Sequence, residues 1–159
     1  MTLSLPVRTG CTACELHRVA SPQGVGTPTL WLDDSLPPAP GTTPLIFVGR
    51  NPGQKEDAAG LPFVGPSGAL VRGGRLGKRQ IKGVYVDGFD FRSRASVYVT
   101  NTVRCYTADN AEPTNPHADA CFPHTIADLQ TILAAHHPTP AYIVLLGAYA
   151  IKQFTKRLL

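Results

Sequence analysis

Three short apolar runs constrain this chain more than any other feature: 45–48 (LIFV), 97–100 (VYVT) and 142–146 (YIVLL). Each is nearly continuous rather than alternating, is rich in Val, Ile or Leu, and ends at a turn-forming residue, Gly49, Asn101 or Gly147. Strands buried on both faces read this way, because a sheet covered on both sides has no solvent face to alternate with. Between the second and third runs, Ala118, Cys121, Phe122, Ile126, Leu129, Ile132 and Leu133 recur every three or four residues, which predicts a helix over 116–135. Strand, helix, strand in that order implies an α/β fold with a short parallel sheet and crossover connections. A chain of 159 residues suits a single domain, 1–159, with a real core.

The rest is punctuated by breakers, and 15 Gly with 15 Pro imply long stretches of loop. Residues 15–18 suggest a short helix, and 19–44 a wandering loop with one edge strand at 29–32. Residues 68–94 read as a short helix, a basic loop and a small hairpin around 84–89, and 148–159 as a basic helix. No run approaches the roughly 18 apolar residues of a membrane span, and the N-terminal MTLSLPVRTG lacks the apolar centre of a secretion signal. An intracellular, cytoplasmic protein without a membrane partner is expected. The four cysteines are then better read as metal or cluster ligands than as disulfides.

Ligands of open parallel sheets gather at the carboxyl ends of the strands. Asn51 follows the first strand and Asn101 ends the second, so two side-chain amides are expected on one rim. An amide offers a donor and an acceptor together, as reading a nucleobase edge requires. Phe63 offers a flat face for stacking, and glycines at 49, 53, 60 and 65 let backbone approach a ligand closely. Together these describe a pocket for an extruded base; the bland alternative is an ordinary Gly/Pro turn with a core phenylalanine.

Cys11 and Cys14 form a C-x-x-C pair, with Cys105 just after the second strand and Cys121 inside the predicted helix. Two close and two distant sulfurs suit a [4Fe-4S] cluster or zinc, and spacing does not separate them. Buried free thiols are the metal-free alternative. Lysine and arginine outnumber aspartate and glutamate by 15 to 11, a net charge of +4, which mildly favours a polyanionic partner such as DNA. Arg72, Arg75, Lys78, Arg79 and Lys82 fall in one glycine-spaced stretch, suited either to contacting phosphates or to a solvated loop.

The series C-x-x-C-x-L at 11–16, G-x-x-P-G-x-x-E-D-x-x-G-x-P-F-V-G-x-x-G at 49–68, V-Y-V-T-N-x-V-x-C at 97–105, Cys121, and I-V-L-L-G-A-x-A at 143–150 resembles the iron-sulfur uracil-DNA glycosylases, family 4 of the uracil-DNA glycosylase superfamily. The resemblance implies a three-layer α/β/α sandwich around a short central parallel sheet. It also implies a [4Fe-4S] cluster, in preference to zinc, on Cys11, Cys14, Cys105 and Cys121, structural rather than redox-active. In such enzymes a deoxyuridine is flipped from DNA and water cleaves its N-glycosidic bond. By motif position Phe63 would stack on the uracil and Asn101 would bond its edge, with Gly49 beside them.

Two departures qualify this. The family usually carries glutamate directly after the first glycine of the first motif, where this chain has Arg50. Arg50 cannot act as a base; it is either a phosphate contact or a solvated loop cation. The next residue gives G-x-N-P-G, which resembles the mismatch-specific and single-strand-selective branches, where the asparagine positions the water. Asn51 is therefore the catalytic candidate. Second, the superfamily has a His-Pro-Ser-like motif after a fourth strand; His137-Pro138-Thr139 precedes the third strand instead, so His136 and His137 are expected to cap a helix end, and the C-terminal strand is expected to be missing.

The leading expectation is a uracil-DNA glycosylase-like DNA repair protein of a bacterial, archaeal or phage-infected cell. The alternative is a non-catalytic iron-sulfur module of the same fold. Such folds also occur joined to some phage DNA polymerases, so the partner would be DNA, a DNA polymerase or other replication protein, or a chain supplying the missing strand. Glu56 and Asp57 are expected to turn inward and hold their loop.

Overall fold

The computed structural model describes residues 5, 8–31, 42–72, 79–81, 84–86 and 95–159. Among the described residues, six strands and four α-helices follow in the order β1 (Leu30–Trp31), β2 (Pro44–Gly49), α1 (Gln54–Ala59), α2 (Pro66–Arg72), β3 (Arg79–Ile81), β4 (Val84–Val86), β5 (Ser96–Asn101), α3 (Asn115–His136), β6 (Tyr142–Leu145) and α4 (Gly147–Leu158). A 3₁₀ turn at Glu15–Arg18 follows the C-x-x-C pair, and a second lies at Ala108–Asn110. The main sheet has the order β1-β5-β2-β6. β5, β2 and β6 are parallel, as the continuous apolar runs predict, and β1 joins antiparallel through Leu30 opposite Val99. β3 and β4 form a separate antiparallel hairpin. The expected hairpin at 84–89 thus finds its partner strand inside the basic stretch, and 87–89 lie outside the described residues.

The register divides the side chains between two layers. Ile46 lies opposite Tyr98 and Val48 opposite Leu145, and these pack with Phe122, Leu129, Ile132 and Phe154 from α3 and α4. On the other face Phe47, Val97 and Val99 pack with Phe63 and Val71 of the α1–α2 segment. Helical segments cover both faces, giving the three-layer arrangement. Among the described residues, no helix is long and apolar enough to cross a membrane.

α3 departs from the expected face. Leu133 is 41% exposed, whereas Thr125 and Asp128 are fully buried; the stripe that faces the sheet carries a polar network as well as apolar packing. At the start of α3, the Thr114 N–H donates to His117 Nδ1 (3.1 Å), and His117 Nε2 lies 2.7 Å from Glu15 Oε1, tying α3 to the turn after Cys14. His136 does not cap the helix. Its Nε2 bonds the buried Tyr98 hydroxyl (2.9 Å) and its Nδ1 the Thr42 carbonyl (3.2 Å), because a phenol inside the core needs a polar partner. His137 is the exposed C-cap, its N–H donating to Ala134 O (3.4 Å).

The loop before β1 is pinned to α1. The Ser21 N–H donates to both Asp57 carboxylate oxygens (3.0 Å each), and the Ser21 hydroxyl to the Asp57 carbonyl (2.7 Å). A Cβ on Gly24 would stand 1.9 Å from Asp57 Oδ1 and 2.8 Å from its carbonyl oxygen. Gly24→Ala should therefore destabilise the protein by about 1–3 kcal/mol through overpacking, read as a lower denaturant midpoint.

Candidate active site and cysteine centre

β2 and β5 end side by side, with Gly49 opposite Asn101. Their carboxyl ends open into a cavity of about 500 Å³ whose wall includes Gly49, Arg50, Asn51, Phe63 and Asn101. Sequence reasoning named all five, and Gly53, Glu56 and Gly65 of the same wall; it gave no site role to Asn110, Pro66, Ser67, Gly68, Leu146 and Gly147, which also line it. Gly49 sits where the others converge. A Cβ there would lie 2.6 Å from Asn101 Oδ1 and 2.9 Å from Phe63 Cζ, so the missing side chain is what keeps a slot open between amide and ring. Phe63 is 8% exposed, packs on Phe47 and Val71, and has a left-handed φ of 58°. A bulky residue holds that conformation only where its surroundings impose it. Here Gly68 gives the room, since a Cβ on it would lie 1.8 Å from the Phe63 carbonyl oxygen. The Glu56 carboxylate fixes the turn by accepting the Gly65 N–H (2.5 Å). Glu56 and Asp57 both point inward to brace their loop.

Asn51 is held from several sides. Its Nδ2 donates to Pro52 O (3.2 Å), Thr107 Oγ1 (3.2 Å) and Cys105 O (3.5 Å), while its Oδ1 accepts from Arg50 Nε (2.8 Å). Arg50 reaches on through Nη2 to the carbonyl and side-chain oxygens of Asn110 (3.1 Å each). It thus spans the rim between the loop after β2 and the second 3₁₀ turn. Of the basic stretch, Arg72 ends α2 and Arg79 opens β3, a strand rather than the expected loop; Arg75, Lys78 and Lys82 lie outside the described residues.

Cys11, Cys14, Cys105 and Cys121 line one small cavity with Arg8, His17, Gly26, Arg104 and His124. Helix α3 delivers Cys121, the segment after β5 delivers Cys105, and the C-x-x-C pair lies across from them. The thiols are free. Burial pushes Cys105 up to about 11 and also raises Cys121 and Cys14, opposed in each case by a backbone N–H. At Cys105 that donor is Gly26, whose N–H lies 3.3 Å from the sulfur. Among the described residues no group of three or more His, Cys, Asp or Glu side chains is placed to hold a metal ion. The donor set, all sulfur and already supplied with a backbone N–H, fits an iron-sulfur cluster.

Behind the cysteines lies a network that the sequence did not announce. Asp128 is fully buried; its Oδ1 lies 3.0 Å from Arg8 Nη2, and its Oδ2 lies 2.8 Å from Arg104 Nη2 and 2.7 Å from Thr29 Oγ1. Arg104 also reaches Thr29 (3.1 Å) and Thr125 (3.4 Å). Burial lowers the Arg104 pKa, and Asp128 opposes the shift. The available signal was a carboxylate on the apolar stripe of α3, one turn past Thr125.

Residues 38–158 match the family model described as the Uracil DNA glycosylase superfamily. Among relatives, a type-4 uracil-DNA glycosylase of Thermotoga maritima is 33% identical over 144 residues, 91% of this chain and 60% of that protein. One of Archaeoglobus fulgidus is 28% identical over 144 residues, covering 88% and 56% of the two chains. One of Saccharolobus solfataricus is 31% identical over 114 residues, 72% and 45%. The chain therefore spans 45–60% of the length of these relatives. With the parallel sheet, the pocket at its carboxyl end and the match over most of the chain, the protein belongs to the uracil DNA glycosylase superfamily.

Proposed function

We propose that the protein acts in DNA repair as a uracil-DNA glycosylase, hydrolysing the N-glycosidic bond of a deoxyuridine flipped out of DNA. The observation that carries this reading is the convergence of Gly49, Asn51, Phe63 and Asn101 on one cavity. The names of the relatives support the same activity.

Each residue takes a role its chemistry allows. Phe63 stacks on the flipped base, with its ring fixed by core packing so that little freedom is lost on binding. Asn101, 5% exposed at the strand end, donates to and accepts from the uracil edge. Gly49 lets the base enter between them. Asn51 orients the water: its Nδ2 is held by Pro52, Cys105 and Thr107, and its Oδ1, which receives Arg50 Nε, has a second lone pair with which to accept from a water. The water oxygen bonds to C1′ as the C1′–N1 bond breaks, its electron pair leaving with the base; the proton released by the water ends on the base, and an abasic site remains. Arg50 at the rim and the cations of 72–82 supply positive charge for backbone phosphates. Cys11, Cys14, Cys105 and Cys121 would hold a [4Fe-4S] cluster, which supplies a structural brace rather than redox work.

One observation favours a second reading, a non-catalytic module of the same fold that binds DNA or a replication protein such as a DNA polymerase. Arg50 stands where relatives of the resemblance carry a carboxylate, and its Nε–H occupies one side of the Asn51 oxygen.

Excision decides between them. The protein, purified without air, is incubated with a uracil-containing oligonucleotide and then with alkali, which cleaves at abasic sites. Asn51→Ala should lower the excision rate by about 100-fold or more and leave binding to the oligonucleotide nearly intact; wild-type excision no greater than this variant's would favour the binding module. Gly49→Ala should press on both Asn101 and Phe63, abolish excision and lower the melting temperature through overpacking. Phe63→Leu keeps the core filled but loses the stacking face, and should weaken binding of a uracil-containing strand by about 1–3 kcal/mol, measured by titration.

A further inference from the structure

Among the described residues, every buried side-chain nitrogen or oxygen without a hydrogen bond belongs to one of two arginines: Arg8 Nε, Arg104 Nε and Arg104 Nη1. Both arginines line the four-cysteine cavity, and Arg104 is 1% exposed. A buried donor left unsatisfied costs about 1–3 kcal/mol. Three at one place are not explained by stability of the polypeptide alone.

The charge balance points the same way. Two guanidinium groups share one carboxylate, Asp128, so the network carries surplus positive charge, with Arg104 and Asp128 themselves buried. His124, also on the cavity wall, is shifted toward its neutral form by burial and then by the two arginines. Burying an unpaired charge costs several kcal/mol unless an opposite charge lies beside it. Neutral thiols do not meet this need, because S–H is a weak donor and a weak acceptor. Anionic sulfur does.

We propose that Arg104 and Arg8 are the charge-balancing donors of the four-cysteine centre, their free N–H groups hydrogen-bonding the sulfur atoms of an anionic iron-sulfur cluster. This rests on the assignment of a cluster to the four cysteines. Hydrogen bonds and positive charge at the sulfurs favour the more negative, reduced state and so raise the reduction potential. Asp128 then acts as the positioning residue, orienting both guanidinium groups through their Nη2 atoms and leaving the other N–H groups to the cavity.

The test uses the full chain as wild type, Arg104→Met and Arg104→Lys, each purified anaerobically and loaded with iron and sulfide. Iron and sulfide content and the absorption at about 400 nm establish the cluster; a redox titration gives its midpoint potential, and a chelator challenge the rate of iron loss. Arg104→Met should bind iron and sulfide in wild-type ratio, show a more negative midpoint and lose iron faster, with Arg104→Lys between the two. After stripping by chelator, Arg104→Met should melt no lower than the stripped wild type, since the surplus charge is then uncompensated in the wild type. An unchanged midpoint and chelator rate, or an equal loss of melting temperature in loaded and stripped forms, would overturn the proposal and leave Arg104 a structural residue. Wild-type protein that takes up neither iron nor sulfide would instead overturn the cluster assignment itself, and the proposal with it. Should Arg104→Met not accumulate, Arg8→Met, at the partly exposed member of the pair, serves the same measurements.

Discussion

Asp128, buried between Arg8 and Arg104, is the interaction on which the other parts depend. It sits on α3 and draws in the N-terminal segment through Arg8, the segment after β5 through Arg104, and the approach to β1 through Thr29. These are also the pieces that bring the cysteines together: Cys11 and Cys14 follow Arg8, Cys105 follows Arg104, and Cys121 lies two turns before Asp128 on the same helix. Without that carboxylate two buried cations would face each other with no counter-charge, a penalty far above the worth of a surface ion pair. The network therefore fixes which segments surround the cavity, while apolar packing fixes only that a sheet forms.

The pocket depends on a different device, the removal of side chains. Gly49, Gly65 and Gly68 each stand where a Cβ would meet Asn101, Glu56 or the Phe63 backbone. Phe63 is consequently set in a left-handed turn that a phenylalanine would not choose, with its ring spanning the core and the cavity. The loop is rigid because its two acids are committed to backbone N–H groups of Gly65 and Ser21. This is preorganisation: under the proposed function, a base entering the slot would find the ring and the amide already in place.

The strands were legible in the sequence to within about one residue, 45–48 against Pro44–Gly49 and 97–100 against Ser96–Asn101, because continuous apolar runs leave few other arrangements. The same holds for α3, expected over 116–135 and found over Asn115–His136. Gly49, Asn51 and Asn101 of the pocket were legible because they cluster at strand ends. What periodicity could not show was the ion network, whose members Arg8 and Asp128 stand 120 positions apart. The same blindness put Leu133 inside and gave His136 to a helix end: a pattern of apolar positions carries no information about which buried polar atom will find which partner. The hairpin strand at Arg79–Ile81 was hidden by cations and glycines, which resemble a loop whenever the opposite strand supplies most of the β-branched residues.

Cys105 belongs to both centres at once. Its sulfur lies on the cysteine cavity and receives the Gly26 N–H, while its carbonyl oxygen, one peptide unit away, receives the Asn51 amide. The two sites are thus joined by a lever a single residue long. A rotation of that peptide would therefore disturb one of the hydrogen bonds that hold the Asn51 amide at the wall of the strand-end cavity.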